Sequence, residues 1–255
     1  MPVESQVLTD RELQDAVIRY LSDAGLRRDP SSPLPISQTQ AARAEKFARF
    51  LARRYYRDRI FRSFRYSHLF HQQVARSAGD IISGRPFDEF LQDCVLGSLE
   101  SARRVGKMAI DCLTLPAHQA PGPWWNDLLA YESAFFLQAA TAEHTPAGSF
   151  ARHAISAVVC NFQWDLPQLL GRLKSNQLPA DVTQRSISLL FSRTREGRIY
   201  VVEIEGATAE VFRCINGGRS MEEVAAIANV TPAAGQSILM SLEQIGAVLG
   251  SPGIS

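Results

Sequence analysis

Ser186-Ile187-Ser188-Leu189-Leu190-Phe191-Ser192 sets Ile187, Leu189 and Phe191 in alternation with serines, the period-two pattern of a strand. Glu196-Gly197 marks a turn, and Ile199-Tyr200-Val201-Val202-Glu203-Ile204 supplies a β-branched second strand, so the pair reads as a hairpin. Helical signals resume at once. Ala207 to Ile215 runs to a stop at Gly217-Gly218. Ser220 with Glu223 forms a capping box for Met221 to Ala228. Thr231 caps, and Pro232 opens, a last helix expected through Val248, with a core stripe of Ile238, Leu242, Ile245 and Leu249. A hairpin followed by three helices is a winged-helix-like arrangement.

Upstream, residues 1 to about 180 read as mostly helical, so the expected class is α+β. The expected division is a helical domain over 1–150, a connecting helical segment over 151–182 and the winged unit over 183–255. Thr9 with Glu12 makes a capping box for a first helix bearing Leu13, Val17, Tyr20 and Leu21, with Gly25 as its stop. Pro30, Pro33 and Pro35 mark a connection. Over 38–57, Ala44, Phe47, Ala48, Leu51, Ala52 and Tyr55 share one face, and Arg43, Lys46, Arg49, Arg53, Arg54 and Arg57 the other. Phe61 and Phe64 break that phase, which predicts a kink or a new helix near Asp58. One helix is expected over 87–112, one over 124–141 carrying Trp125 and Phe136, and a short one over Asp165 to Lys174.

Of 255 residues 45% are hydrophobic and 21% charged, enough for a sizeable core. The 27 basic residues nearly balance the 26 acidic ones, which excludes a chain that binds polyanions over its whole surface but not one with a local patch. Cys94, Cys112, Cys160 and Cys214 lie far apart with no CxxC, which argues against a zinc ribbon or a disulfide scaffold. The acidic first 25 residues lack an apolar signal core, and the longest uncharged run, Val224 to Leu242, is interrupted by Asn229, Thr231 and Pro232. The expected location is the cytoplasm, without a membrane partner.

No catalytic constellation stands out. HExxH, GxSxG, Walker and GxGxxG motifs are missing from the sequence. His68 and His71 are spaced to share a helix face, as metal ligands do, but no carboxylate motif completes a site. Residues 43–65 hold eight Arg and one Lys against Glu45 and Asp58, with aromatics between them. Such a stretch suits nucleic acid, an acidic protein partner, or simply a solvated face with internal ion pairs. A DNA-reading role for the C-terminal helices fits poorly. From Thr231 to Gly250 the only charge is Glu243, and residues 182–255 hold six Arg against seven Glu. A winged unit without positive charge suits an extended peptide paired to a strand edge, with Gly235 and Leu239 of the last helix lining the groove or else facing the helical domain.

The run from Ile199 through Glu205, then Ala207-Thr208-Ala209-Glu210-Val211-Phe212, Ile215-Asn216-Gly217-Gly218-Arg219-Ser220-Met221-Glu222-Glu223-Val224-Ala225, and the closing Leu242-Glu243-Gln244-Ile245-Gly246 resembles the PqqD-type domains that bind leader peptides of ribosomally made natural products. Asn161-Phe162-Gln163-Trp164-Asp165-Leu166-Pro167-Gln168-Leu169-Leu170 and Leu128-Leu129-Ala130-Tyr131-Glu132-Ser133-Ala134 resemble accessory subunits of multinuclear non-haem iron oxidases, which serve methanobactin and 3-thiaglutamate biosynthesis. The resemblance implies a non-catalytic subunit without a cofactor of its own, the iron being on the partner oxidase of a heterodimer. It would bind the leader of a precursor peptide at Ile199, Val201, Glu203, Gly235 and Leu239, and dock the oxidase through Arg49, Arg53, Arg57 and Arg62. Cysteine β-carbon excision of the 3-thiaglutamate type is favoured over oxazolone and thioamide formation. The alternative is a nucleic-acid-binding regulator using the Arg-rich helix 43–65. A third reading, a stand-alone metalloenzyme, would rest on His68 and His71.

Overall fold

The computed structural model describes residues 10–29, 38–142, 150–175, 177, 179 and 181–249. Thr9, the three connecting prolines and the side chains of Glu12 and Leu13 lie outside the described residues. In chain order come α1 (Asp10–Ser22), α2 (Ala24–Arg28), α3 (Gln38–Ser63), α4 (His71–Val74), α5 (Arg85–Asp93), α6 (Leu99–Leu113) and α7 (Trp125–Ala140). Then follow β1 (Arg152–His153), β2 (Val158–Trp164), α8 (Leu166–Lys174), β3 (Gln184–Arg193), β4 (Ile199–Glu203), α9 (Gly206–Cys214), α10 (Met221–Ile227), α11 (Pro232–Gln244) and β5 (Val248–Leu249). The class is α+β.

Helix α3 buries Ala48, Ala52, Tyr56 and Ile60, a row of four-residue steps that runs on into Phe64. Tyr56 meets Phe90 and Phe136 ring to ring. No new helix begins at Asp58: α3 runs on through it to Ser63, the buried row continues, and Phe61 turns to solvent. Phe47, expected inside, is exposed for the same reason: the buried face is centred on Ala52 and Tyr56.

Two expected helix boundaries differ. Gly25 does not end the first helix. Asp23 interrupts it, its carboxylate accepting from Gly25 N at 2.7 Å and so starting α2. The helix expected over 87–112 is two, α5 and α6. Gly97 takes φ +80° where a Cβ would stand 2.8 Å from that of Ala142, and Ser98 caps α6. Leu96 N donates to Ser22 O across the break.

The segment 151–182, expected to be helical, contains β2, whose Val158, Val159, Phe162 and Trp164 are strand formers. It pairs antiparallel with β3, which pairs with β4, giving the order β2-β3-β4. The sheet is a wall between two cores. Ile187, Leu189, Phe191 and Phe162 pack with α3 and α5–α8, while Leu190, Val159, Val202 and Ile204 pack with α9–α11. The central strand is therefore covered on both faces, and Leu189 through Ser192 are all buried. Ser192 satisfies its hydroxyl on Ile245 O at 2.8 Å.

The capping box of Ser220 and Glu223 and the Thr231 cap form as read. Helix α11 stops at Gln244 rather than Val248, because Gly246 turns the chain at φ +72°. Val248 and Leu249 then pair with β1. The buried stripe is Gly235, Leu239 and Leu242, with Ile238 and Ile245 only half buried. Gly246 also admits Arg193 O, which would lie 2.5 Å from a Cβ there. Gly246→Ala is expected to lower unfolding free energy by about 2–4 kcal/mol. Gly171→Ala, in α8 with nothing within 4 Å of the new methyl, is expected to raise it by about 0.5–1 kcal/mol. Urea denaturation of both variants checks the pair.

Candidate functional site

The β3–β4 register fixes which atoms face outward. Thr194 N donates to Arg198 O and Ile204 N to Ser188 O, and these pairs bracket the ladder. By alternation, Tyr200 and Val202 spend their backbone groups on β3. The N–H and C=O groups of Ile199, Val201 and Glu203 point to the other side, where no strand pairs with β4 among the described residues. The side chains are less free. Val201 packs on the first core, and Glu203 pairs with Arg185, which also reaches Asp165. These pairs are exposed and contribute little to stability.

The other two groove residues sit elsewhere. Gly235 is buried, with Met221 Cε and Ala225 Cβ 2.9 and 3.3 Å from where its Cβ would be, so it is a packing contact between α10 and α11. Leu239 is buried at the base of a cleft of about 1170 Å³ between the β3–β4 turn, the β1/β5 ribbon, α10 and α11. None of Ile199, Val201 and Glu203 lines that cleft. The strand edge and the cleft are two surfaces rather than one groove.

The Arg set divides. Arg49 pairs with Glu45, and Arg53 is held by Ile82 O and Asp88. Arg57 is exposed, its guanidinium 6.0 Å from the Phe61 ring centre, and Arg62 is exposed. At 100° per residue, Arg43, Lys46, Phe47, Phe50, Arg54, Arg57 and Phe61 fall within about 100° of each other. All seven are exposed, so the outer face of α3 is a stripe of cations and phenyl rings. Sequence reading noted aromatics among the cations of this stretch but put Phe47 on the inner face, whereas it belongs to the outer stripe.

His68 and His71 stack at 4.9 Å, but no group of three potential ligands surrounds a common point among the described residues. The four cysteines are free thiols, and burial pushes those of Cys94, Cys112 and Cys160 up in pKa. No helix among the described residues is long and apolar enough to cross a membrane. Compared with protein-family models and with curated proteins, the chain matches none.

One buried ionisable group escaped the sequence reading. Glu132 of α7 is fully buried, and its carboxyl accepts from Tyr66 N at 2.6 Å and Ser67 N at 3.2 Å. The only signal was a lone acid in the apolar run from Leu128 to Ala134. Burial pushes the carboxyl up to about 8, against the lowering effect of the N–H donors. Between the ordinary carboxylate range and that value the folded chain binds a proton that the unfolded chain has lost, so stability falls as pH rises through this window. The expected slope is about −1.4 kcal/mol per pH unit from this group. Glu132→Gln should flatten it, as read by denaturant titrations between pH 5 and 8, a range taken from about the two limits of that window.

Proposed function

We propose that the chain is a cytoplasmic, non-catalytic subunit that binds the leader of a ribosomally made precursor peptide and presents its cysteine to a partner iron oxidase. The observation that carries the reading is the edge of β4, with the backbone groups of Ile199, Val201 and Glu203 unpaired by any strand among the described residues. An extended leader adds to such an edge as a further antiparallel or parallel strand, with backbone hydrogen bonds supplying affinity. The order of β2–β4 followed by α9–α11, sharing one core, supports a winged-helix-like unit of the PqqD type. The partner oxidase would dock on the helical part, where Arg57 and Arg62 remain exposed while Arg49 and Arg53 are tied internally. The reaction favoured is excision of the cysteine β-carbon as in 3-thiaglutamate formation, with the iron held by the partner and the leader tether raising the local concentration of the reacting residue.

A second reading rests on the stripe of α3. Exposed Phe47, Phe50 and Phe61 among Arg43, Lys46, Arg54 and Arg57 is a pattern that single-stranded nucleic acid also fits, by base stacking and phosphate pairing.

A pull-down from native cells at moderate salt separates the two. Recovery of an iron protein together with a cysteine-containing peptide supports the first. Nucleic acid that elutes with added salt supports the second and overturns the first. The edge is then tested directly with the recovered peptide. Glu203→Pro deletes an outward N–H and no bond to β3, so the fold should persist by circular dichroism. Its affinity for the leader should fall about tenfold, while Glu203→Gln binds as the parent does. Equal binding by the proline variant would remove β4 as the site.

A further inference from the structure

Six exposed residues of α3 lie on one line. Arg43, Phe47, Phe50, Arg54, Arg57 and Phe61 follow each other at steps of four, three, four, three and four residues. At 100° per residue they fall within about 80° of one another, along about five turns. The buried residues Ala48, Ala52 and Tyr56 take the opposite side of the helix. Alternating steps of three and four are the a and d positions of a heptad seam, the spacing by which one helix packs along another at a shallow angle. Of the four arginines expected to dock a partner, only Arg57 lies on this line.

The rings on the seam are half exposed, Phe47 at 52%, Phe50 at 57% and Phe61 at 50%. Single apolar side chains at a surface are ordinary, but three on one line form a patch. They are already held in place. Phe47 and Phe50 stack with ring centres 6.4 Å and planes 20° apart. The tip of Phe61 lies 2.8 Å from where a Cβ of Gly79 would stand, so that glycine makes room for it, and Arg57 stands 6.0 Å from its ring centre. Bound bases need open ring faces. Rings that lean on their own neighbours present ridges, which aliphatic side chains cover.

Charge selects among protein partners. Arg43, Arg54 and Arg57 pair with no carboxylate among the described residues, in contrast to Arg49 and Arg53. Lys46 adds a cation beside the seam, and Asp58 one acid. A second copy would set this excess of cations against itself, whereas a row of carboxylates would be complementary to it.

We propose that this seam docks one amphipathic helix of the partner oxidase, with carboxylates opposite Arg43, Arg54 and Arg57 and aliphatic side chains opposite Phe47, Phe50 and Phe61. The proposal rests on the reading of the chain as a subunit of an oxidase complex, and adds to it the seam and the chemistry of the helix that covers it.

The probes are blocked synthetic helices of about three heptads. One carries Glu, Leu, Leu, Glu, Glu and Leu at successive a and d positions, for parallel approach, and the other the reversed order, for antiparallel approach. Counterparts have Lys for each Glu. Titrated against the full chain and read by fluorescence anisotropy, one Glu/Leu order should bind and neither Lys counterpart should. Phe50→Ser and Arg54→Glu change exposed side chains, so Tm should hold while affinity for the Glu/Leu helix falls about tenfold for each. Arg54→Lys should restore most of the loss. If neither order binds, or if both variants bind as the parent does, the seam proposal is overturned. Oligothymidylate that binds the parent but not Phe50→Ser, or a dimer in sedimentation that Phe50→Ser abolishes, would overturn it in favour of nucleic acid or a second copy. The leader peptide from the pull-down, read at the amides of Ile199, Val201 and Glu203, is scored separately. Shifts there with failed helix probes leave the edge reading standing alone. Bound helix probes without those shifts leave the seam standing and remove the edge reading.

Discussion

Helix α7 is held to the sheet at both of its ends, and the rest of the molecule is arranged around that clamp. Near its start, Asp127 accepts from Gln163 N at 2.7 Å and Trp164 N at 3.0 Å, at the point where the β2–β3 register shifts. At its finish the unpaired carbonyls of the last turn would be an unsatisfied, partly negative cluster. Arg59 donates to Ala139 O at 2.8 Å, Tyr55 to Ala140 O at 2.9 Å, and Arg193 to Gln138 O and Thr141 O. Helix α3 and strand β3 thus meet on one helix end. Two guanidinium groups can stand close together there because the helix terminus supplies negative potential between them. The same end sets the α5–α6 break, since Ala142 N donates to Gly97 O at 2.7 Å.

Strand β3 carries this clamp into the second core. Arg193 ends the strand that holds Leu190 against α9–α11, and its carbonyl fills the space above Gly246. Ser192, its neighbour, binds Ile245 O. The residues that terminate α11 are therefore the ones that fasten it to β3. A change in the seating of α11 would be felt at the hairpin, and through the ladder at β4. The candidate edge and the cleft share this support without sharing residues.

The hairpin was legible because its two strands carry strong local signals, a serine alternation and a β-branched run on either side of Gly197, which takes φ +88°. The caps at Ser220 and Thr231 were legible because capping depends on side chains three residues apart. What was hidden depends on contacts distant in sequence. Strand β2 opens directly into α8 through Asp165 without a turn signal between them, so its pattern passed for helix. The turn at Gly97 follows from the approach of Ala142, 45 positions on by the numbering. The true inner face of α3 follows from where α5 and α7 place Phe90 and Phe136. Of the residues expected in the peptide groove, the three on β4 could be located by strand alternation, whereas Gly235 and Leu239 depended on the phase of α11, which its packing on α9 and α10 sets.

The Arg-rich helix illustrates how a count of charges misleads about a surface. Arg49, Arg53 and Arg59 are bound to Glu45, Asp88 and the end of α7. Arg53 and Arg59 join helices while Arg49 pairs within α3, and a ligand would have to displace those bonds to use them. The outward stripe from Arg43 to Phe61 is about 27 Å long at the helical rise of 1.5 Å. It offers four cations but three phenyl rings, each half exposed. Phosphate pairing alone would leave the rings in water, and apolar contact alone would bury the cations. A surface that answers both must alternate acid with apolar groups over several turns. Guanidinium and aromatic side chains are the ones enriched in protein interfaces, where a carboxylate-bearing partner meets the first and an apolar ridge covers the second. In the proposed assembly this face suits the oxidase better than the precursor, whose leader has an edge of its own on the far side of the sheet's hydrogen-bonding pattern.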